Sequence, residues 1–221
     1  MINELIFLFY SLTVALLVGG ATLLGYEALV ALMTLLAVCM NLLVTKQILF
    51  FGWQATAADA LSIGAVLCTN MIQEFFGTER AKRAVWLSFA GFIGATVIFM
   101  IHCAYIPSAV DTMQGHCLAL FCPLPRIGIA SLIAYLITQL CDRYVYAKLM
   151  TITHKRYFLL RNIGITASTQ LLDTVLFGVL GLYGMVDNLT SVLFVSYVIK
   201  LCSLLLIVPA LVLMKKVIAR E

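Results

Sequence analysis

Apolar runs of membrane-crossing length, separated by short polar clusters, make up almost the whole chain. They cover residues 5–24, 28–45, 57–77, 84–104, 127–149, 160–184 and 189–214. A helix rises about 1.5 Å per residue, so about twenty apolar residues span a hydrocarbon layer of about 30 Å. The pattern therefore predicts an all-α polytopic membrane protein of about seven transmembrane helices, forming a single domain over residues 1–221. No basic residue precedes the first run, and its apolar core is longer than that of a secretory signal, so it reads as a retained helix over residues 1–26 ahead of a core over 27–216. Between the second and third runs, residues 47–54 with Trp53 read as an interfacial segment. Residues 105–125, with Pro107, Pro123 and Pro125, form the longest loop. Ala90 and Gly94 give the fourth helix a small-xxx-small face for close packing.

Composition agrees. Of 221 residues, 63% are hydrophobic and only 11% charged, about half the charged share of a soluble globule. The net charge of +4 is no sign of a nucleic-acid partner, because the basic residues fall in short clusters between apolar runs. Those clusters, at 80–83, 155–161 and 215–220, contrast with 105–125 and 185–188, which hold almost none. The positive-inside rule places the basic segments in the cytoplasm, with the N-terminus outside and the C-terminus inside the cell (inner) membrane. Arg80, Lys82 and Arg83 suit anionic headgroups of the surrounding bilayer.

Candidate chemistry lies where polar side chains interrupt the apolar runs. Ionisable residues at membrane depth cost about 2.5–3.5 kcal/mol each on insertion scales, so they face the bundle interior and pair. Asp173 and Lys200 fall near the centres of the sixth and seventh spans, Gln139 is central in the fifth, and Asn70 lies somewhat inside the centre of the third. Asn162, Thr166, Gln170 and Asp173 are spaced by four, four and three, one continuous stripe on a helix. Tyr135, Gln139 and Asp142 form a second stripe. In the third span Asn70 and Glu74 share a face, and Glu74 has no basic residue within helical reach on its membrane side.

Two readings stand side by side: the wall of a polar cavity for a small-molecule substrate, or amides and hydroxyls that only cross-link helices, with Asp173 and Lys200 as an internal ion pair. No Walker-type glycine loop, HExxH, GxSxG or GxGxxG occurs. An intramembrane enzyme using Cys, His or Asp is a weaker alternative, because the histidines lie at helix ends or in loops. Seven cysteines lack CxxC spacing. Cys39, Cys68, Cys141 and Cys202 read as buried thiols, while Cys103, Cys117 and Cys122 share a loop with His102 and His116, where a disulfide or metal site is the alternative. No cofactor is expected.

Several blocks together resemble the queuosine precursor transporter family. Thr69-Asn70-Met71-Ile72-Gln73-Glu74-Phe75-Phe76-Gly77, followed by Ala81 and Arg83, resembles its Thr-Asp…Glu-x-Tyr-Gly…Ala-Arg signature, with Asn70 where the family usually has Asp. Asn41 and Lys46 resemble an Asn…Lys segment ending the preceding helix. Ala130-Ser131 through Tyr135, with Gln139 and Asp142, is similar to a third block, and Arg161-Asn162, Ser168, Gln170 and Asp173-Thr174 to a fourth. Tyr197 and Lys200 fit the last helix. The likeness covers roughly residues 30–212.

The resemblance implies a six-helix core similar in fold to the substrate-binding subunits of energy-coupling-factor vitamin transporters, here with an additional N-terminal helix. It implies import of queuine or another 7-deazaguanine; with no nucleotide-binding motif in the chain, a facilitator, a proton-coupled carrier and a binding subunit energised by separate ATPases are the alternatives. The residues it implies for binding are Asn41, Lys46, Asn70, Glu74, Tyr135, Gln139, Asp142, Arg161, Asn162, Gln170, Asp173 and Lys200. A substrate-binding subunit for a different vitamin-like solute is the alternative.

Overall fold

The computed structural model describes residues 2–56, 58–152 and 158–202, with side chains described throughout these except at 139–140, 142–152 and 158–166. Helix α1 (Ile2–Leu24) passes into α2 (Tyr26–Leu43) through one residue, Gly25, at φ 106°. Helix α3 (Asp59–Phe76) passes into α4 (Thr78–Cys103) through Gly77 at φ 90°. Reversing between helices in one step uses backbone angles that a Cβ disfavours, which is why glycine stands at both corners. The two corners meet at one end of the bundle. Tyr26 packs edge-on against Phe76, its hydroxyl donates to the Arg80 carbonyl at 3.4 Å, and the Arg80 guanidinium lies over its ring. The Arg80 guanidinium therefore serves this joint.

Helix α4 leads to a short helix α5 (Gln114–Phe121) inside the segment expected to be loop. Its start is fixed by Asp111, whose carboxylate accepts the Gln114 N–H at 2.9 Å, and its end by Phe121 stacked on Phe99 at 4.5 Å. Helix α6 (Leu124–Ile152) begins with Pro125 in its first turn, where a missing N–H costs no bond. Helix α7 (Phe158–Phe177) ends in a π-helical turn, Gly178–Leu182. Arg126 at the start of α6 donates to the carbonyls of Leu180 and Tyr183, 3.2 and 2.6 Å away, completing acceptors that this loosened turn leaves open. Helix α8 begins at Leu189 and is described to Cys202. The seven cysteines are free thiols, Cys103, Cys117 and Cys122 included.

The segment between α2 and α3, expected to be interfacial, is a β-hairpin: β1 (Gln47–Phe50) pairs antiparallel with β2 (Trp53–Thr56) about the turn Phe51-Gly52. Both turn residues have positive φ, 49° and 82°, the pattern that matches the twist of a two-residue hairpin. The hairpin is held between α1 and α8. Ala55 is fully buried with Val195 and Ile199, and Phe7, Ile48, Phe50 and Ile63 complete that cluster. Asn3 donates to the Leu49 carbonyl at 2.8 Å, and the Glu4 carboxylate accepts the Phe51 N–H at 2.9 Å.

Long helices α1–α4 and α6–α8 correspond to the expected spans, and the protein is a polytopic helical membrane protein. Exposed Ile93, Val97 and Ile101 recur every fourth residue along α4, as do exposed Leu5, Phe9, Leu12 and Leu16 at steps of four and three on α1, forming lipid-facing stripes. Helix α3, with Asp59, Asn70, Gln73 and Glu74, is not among the helices apolar enough to cross a membrane by composition alone. It packs among α1, α2 and α4, burying Leu61, Cys68, Met71 and Ile72 in a core shared with Val14, Val18, Leu29, Met33, Leu36 and Val85. Surrounding a polar helix with apolar ones removes it from lipid.

Close approach on α4 occurs at Gly91 and not at Gly94. A Cβ at Gly91 would meet the Thr34 methyl at 2.4 Å, whereas one at Gly94 would meet nothing within 4 Å. Gly91→Leu is expected to destabilise the purified protein by ~1–3 kcal/mol through overpacking, read as a lowered thermal unfolding midpoint in detergent. Gly94→Leu is expected to leave that midpoint unchanged.

Candidate functional site

A cavity of about 400 Å³ lies between α2, α3, α4, α6, α7 and α8. Each helix presents one face to it. Helix α2 contributes Met33, Ala37, Asn41 and Val44; α4 contributes Val85, Ser88, Phe89 and Phe92; α6 contributes Ser131, Tyr135 and Thr138. Helix α8 contributes Val192, Ser196 and Lys200. These positions recur every three or four residues, as one face of a helix must. On α3 the stripe is Asp59, Ser62, Val66, Thr69 with Asn70, and Gln73; on α7 it is Thr169 with Gln170, Asp173 with Thr174, and Phe177.

The charged groups of the cavity lie where α3, α7 and α8 come together beside the last residue of the hairpin. Lys200 Nζ donates to Asp173 Oδ2 at 3.0 Å and to Thr174 Oγ1 at 3.1 Å. Asp59, only 6% exposed, accepts the Ser196 hydroxyl at 2.8 Å, with the Thr56 hydroxyl at a longer 3.5 Å. The ion pair expected between Asp173 and Lys200 is therefore present, and both members also line the cavity.

Elsewhere the described lining is neutral. Buried Asn41 donates to the Ala37 carbonyl at 2.7 Å and accepts the Ser131 hydroxyl at 2.9 Å, so this amide both cross-links α2 to α6 and faces the cavity. Tyr135 and Phe89 stand as a tilted aromatic pair with centroids 5.4 Å apart. Asn70, Gln73 and Gln170 add amides. Such a lining offers donors and acceptors together with aromatic faces, which is what a flat heterocycle with N–H and C=O edges requires.

Of the residues singled out from sequence, Asn41, Asn70, Tyr135, Gln170, Asp173 and Lys200 meet in this one cavity. Lys46 is exposed at the entry to the hairpin, and Glu74 is exposed at the end of α3; neither lines it. The side chains of Gln139, Asp142, Arg161 and Asn162 lie outside the described ones. Glu74 stands in the last turn of α3, just past Gln73, the last α3 residue that lines the cavity. Sequence reasoning missed Asp59 and Gln73. The signal was available, since steps of three, four, three and four connect Asp59, Ser62, Val66, Thr69 and Gln73 along the whole of α3.

A family model described as "putative vitamin uptake transporter" matches residues 56–214. The chain belongs to that family. The transporter is also similar to a protein of Bacillus subtilis (strain 168) named as a probable queuosine precursor transporter, 31% identical over 187 residues, which cover 83% of this chain and 82% of that one. No solved structure matches it. The protein is thus a multi-pass transporter of the cell membrane for a small-molecule substrate and not an enzyme.

Because the ion pair joins α7 to α8, removing one partner strands the other at membrane depth. Lys200→Met is expected to lower stability more than Lys200→Met combined with Asp173→Leu, with a coupling of ~1–3 kcal/mol. A double-mutant cycle on thermal unfolding in detergent measures it; additive effects would show that the pair is not coupled.

Proposed function

We propose that this transporter imports a queuosine precursor, a 7-deazaguanine base, by binding it in the central cavity. The observation that carries this reading is the meeting of amides from α2, α3 and α7 with the Phe89–Tyr135 pair around one space of about 400 Å³. A deazaguanine presents adjacent N–H donors and a carbonyl on one edge of a flat ring. Asn41, Asn70, Gln73 and Gln170 supply complementary groups, and Tyr135 or Phe89 supplies a surface for stacking. The name given to the Bacillus subtilis relative supports the same substrate class.

Gln139 and Asp142 continue the Tyr135 helix toward its C-terminal end, and Arg161 and Asn162 precede Gln170 on α7. We keep these four as binding candidates on the family resemblance, and take the orientation that the basic segments dictate. The hairpin then lies on the outer side. To Lys46 and Glu74 we assign no contact with the base.

Expression in cells lacking their own importer is expected to restore uptake of labelled 7-deazaguanine base and the queuosine content of tRNA. Gln170→Ala and Tyr135→Phe/Phe89→Ala are each expected to reduce uptake at limiting base by roughly tenfold, the value of one lost hydrogen bond to a buried partner or of one lost stacking surface. Unchanged tRNA queuosine on expression of the parent chain would overturn the substrate assignment.

A further inference from the structure

The corner between α4 and α5 carries chemistry that transport of a base does not use. Cys103 closes α4, Cys117 lies in the middle of α5, and Cys122 follows its end. Two contacts fix how these helices lie. Phe99 stacks on Phe121 at 4.5 Å, and the Gln114 side-chain amide donates to the Cys103 carbonyl at 2.9 Å. Going up α4 from Phe99 to Cys103 therefore means going down α5 from Phe121 to Gln114, so the two helices run antiparallel. Cys103 stands one turn beyond Phe99, and Cys117 one turn before Phe121. The two thiols thus occupy the same rung, between the ring stack and the amide bond, and both are half-buried. Cys122 shares no such rung and is exposed. Of these two neighbours, Cys117 acts electrostatically on Cys103 more strongly than Cys122 does.

We propose that Cys103 and Cys117 are joined as a disulfide on the outer side of the membrane, tying α5 to the end of α4. The structure holds both as free thiols, the reduced form. A metal ion is a poorer use of the corner, because no three His, Cys, Asp or Glu side chains among the described residues are grouped to hold one. The basic segments put this corner outside, where disulfides form and persist. The oxidant is a dithiol oxidoreductase in its disulfide form. The Cys117 thiolate attacks one sulfur of that disulfide and expels the other as a thiolate; the Cys103 thiolate then attacks Cys117 Sγ, closing the bridge and releasing the oxidant's remaining thiolate. Two electrons pass to the oxidant, and the two cysteines give up their protons. The bridge has a structural purpose. Helix α5 buries no side chain of its own, so apolar packing holds it weakly, and closing the loop over residues 104–116 restricts the unfolded chain.

Differential alkylation tests this on the full chain. Membranes from expressing cells are treated with a light maleimide without reductant, and the purified, unfolded protein is then reduced and treated with a heavy maleimide. Peptide masses are expected to show the heavy label at Cys103 and Cys117 and the light label at the other cysteines. Cys103→Ser and Cys117→Ser are each expected to shift the partner to the light label, and Cys122→Ser to leave the pattern unchanged. Reductant is expected to lower the thermal unfolding midpoint of the parent protein in detergent by roughly 5 °C or more, and to leave that of Cys117→Ser where it is. Light label at every cysteine of the parent chain would overturn the bridge. Heavy label at Cys122 in place of Cys117 would overturn the pairing, and a parent midpoint indifferent to reductant would overturn the tying role.

Discussion

A lysine ammonium within the seventh span is the constraint around which this bundle is arranged. Lys200 cannot face lipid without a large desolvation cost, and its side chain is only 12% exposed. It reaches Asp173 and Thr174 on α7, while its neighbour Ser196, one turn away on α8, reaches Asp59 on α3. Thr56 adds the hairpin to the same cluster. One set of polar groups thereby fixes the mutual positions of three helices and the strand that leads into α3. Apolar contacts alone could not do this, because lipid tails compete for apolar faces on nearly equal terms.

The polarity of α3 follows from that arrangement. A helix carrying two carboxylates and two amides is a poor spanning segment on its own. Enclosed by α1, α2 and α4 it buries Leu61, Cys68 and Ile72 on one side and gives its polar stripe to the cavity on the other. The side of the bundle that closes tightly does so at small residues: Gly64 against Val14 and Leu36, and Gly91 against Thr34. The side that stays open is lined by amides and hydroxyls that find partners on their own or facing helices, as Asn41 and Ser131 do. Small residues draw helices together, and satisfied polar ones hold space between them.

Much of this was legible in the sequence, for identifiable reasons. Runs near twenty residues specify spans because bilayer thickness is fixed. Asp173 and Lys200 were legible as partners because depth can be counted along a helix and charges at equal depth must meet. The α7 stripe was visible through its spacing, and the described part of it, Gln170 and Asp173, faces the cavity. Glu74 is singled out by its spacing from Asn70, by the lack of a basic residue within helical reach and by the Thr69–Gly77 block, none of which says which face of α3 points inward. The longer series from Asp59 to Gln73 marks the face of α3 that lines the cavity. The hairpin was hidden by composition: Gln47–Phe50 is apolar and short, and its turn is Phe51-Gly52, where a sequence signal would have been Asn-Gly. Its formation depends on side chains from α1 and α8, which no local pattern contains.

That dependence gives the hairpin an unforgiving length. Strand faces alternate with every residue, so inserting or deleting one position between Val44 and Asp59 would exchange Ala55, which fits without remainder against Val195 and Ile199, for Gln54 or Thr56. The same slip would detach Gln54 from Ser191, whose hydroxyl oxygen accepts its N–H at 3.1 Å and whose own hydroxyl donates to its carbonyl at 3.3 Å. Fifteen or so residues that look like an ordinary connector thus act as a ruler. Among relatives, changes of length in this connector should come in pairs of residues or not at all, unlike changes in the proline-bearing loop between α4 and α6.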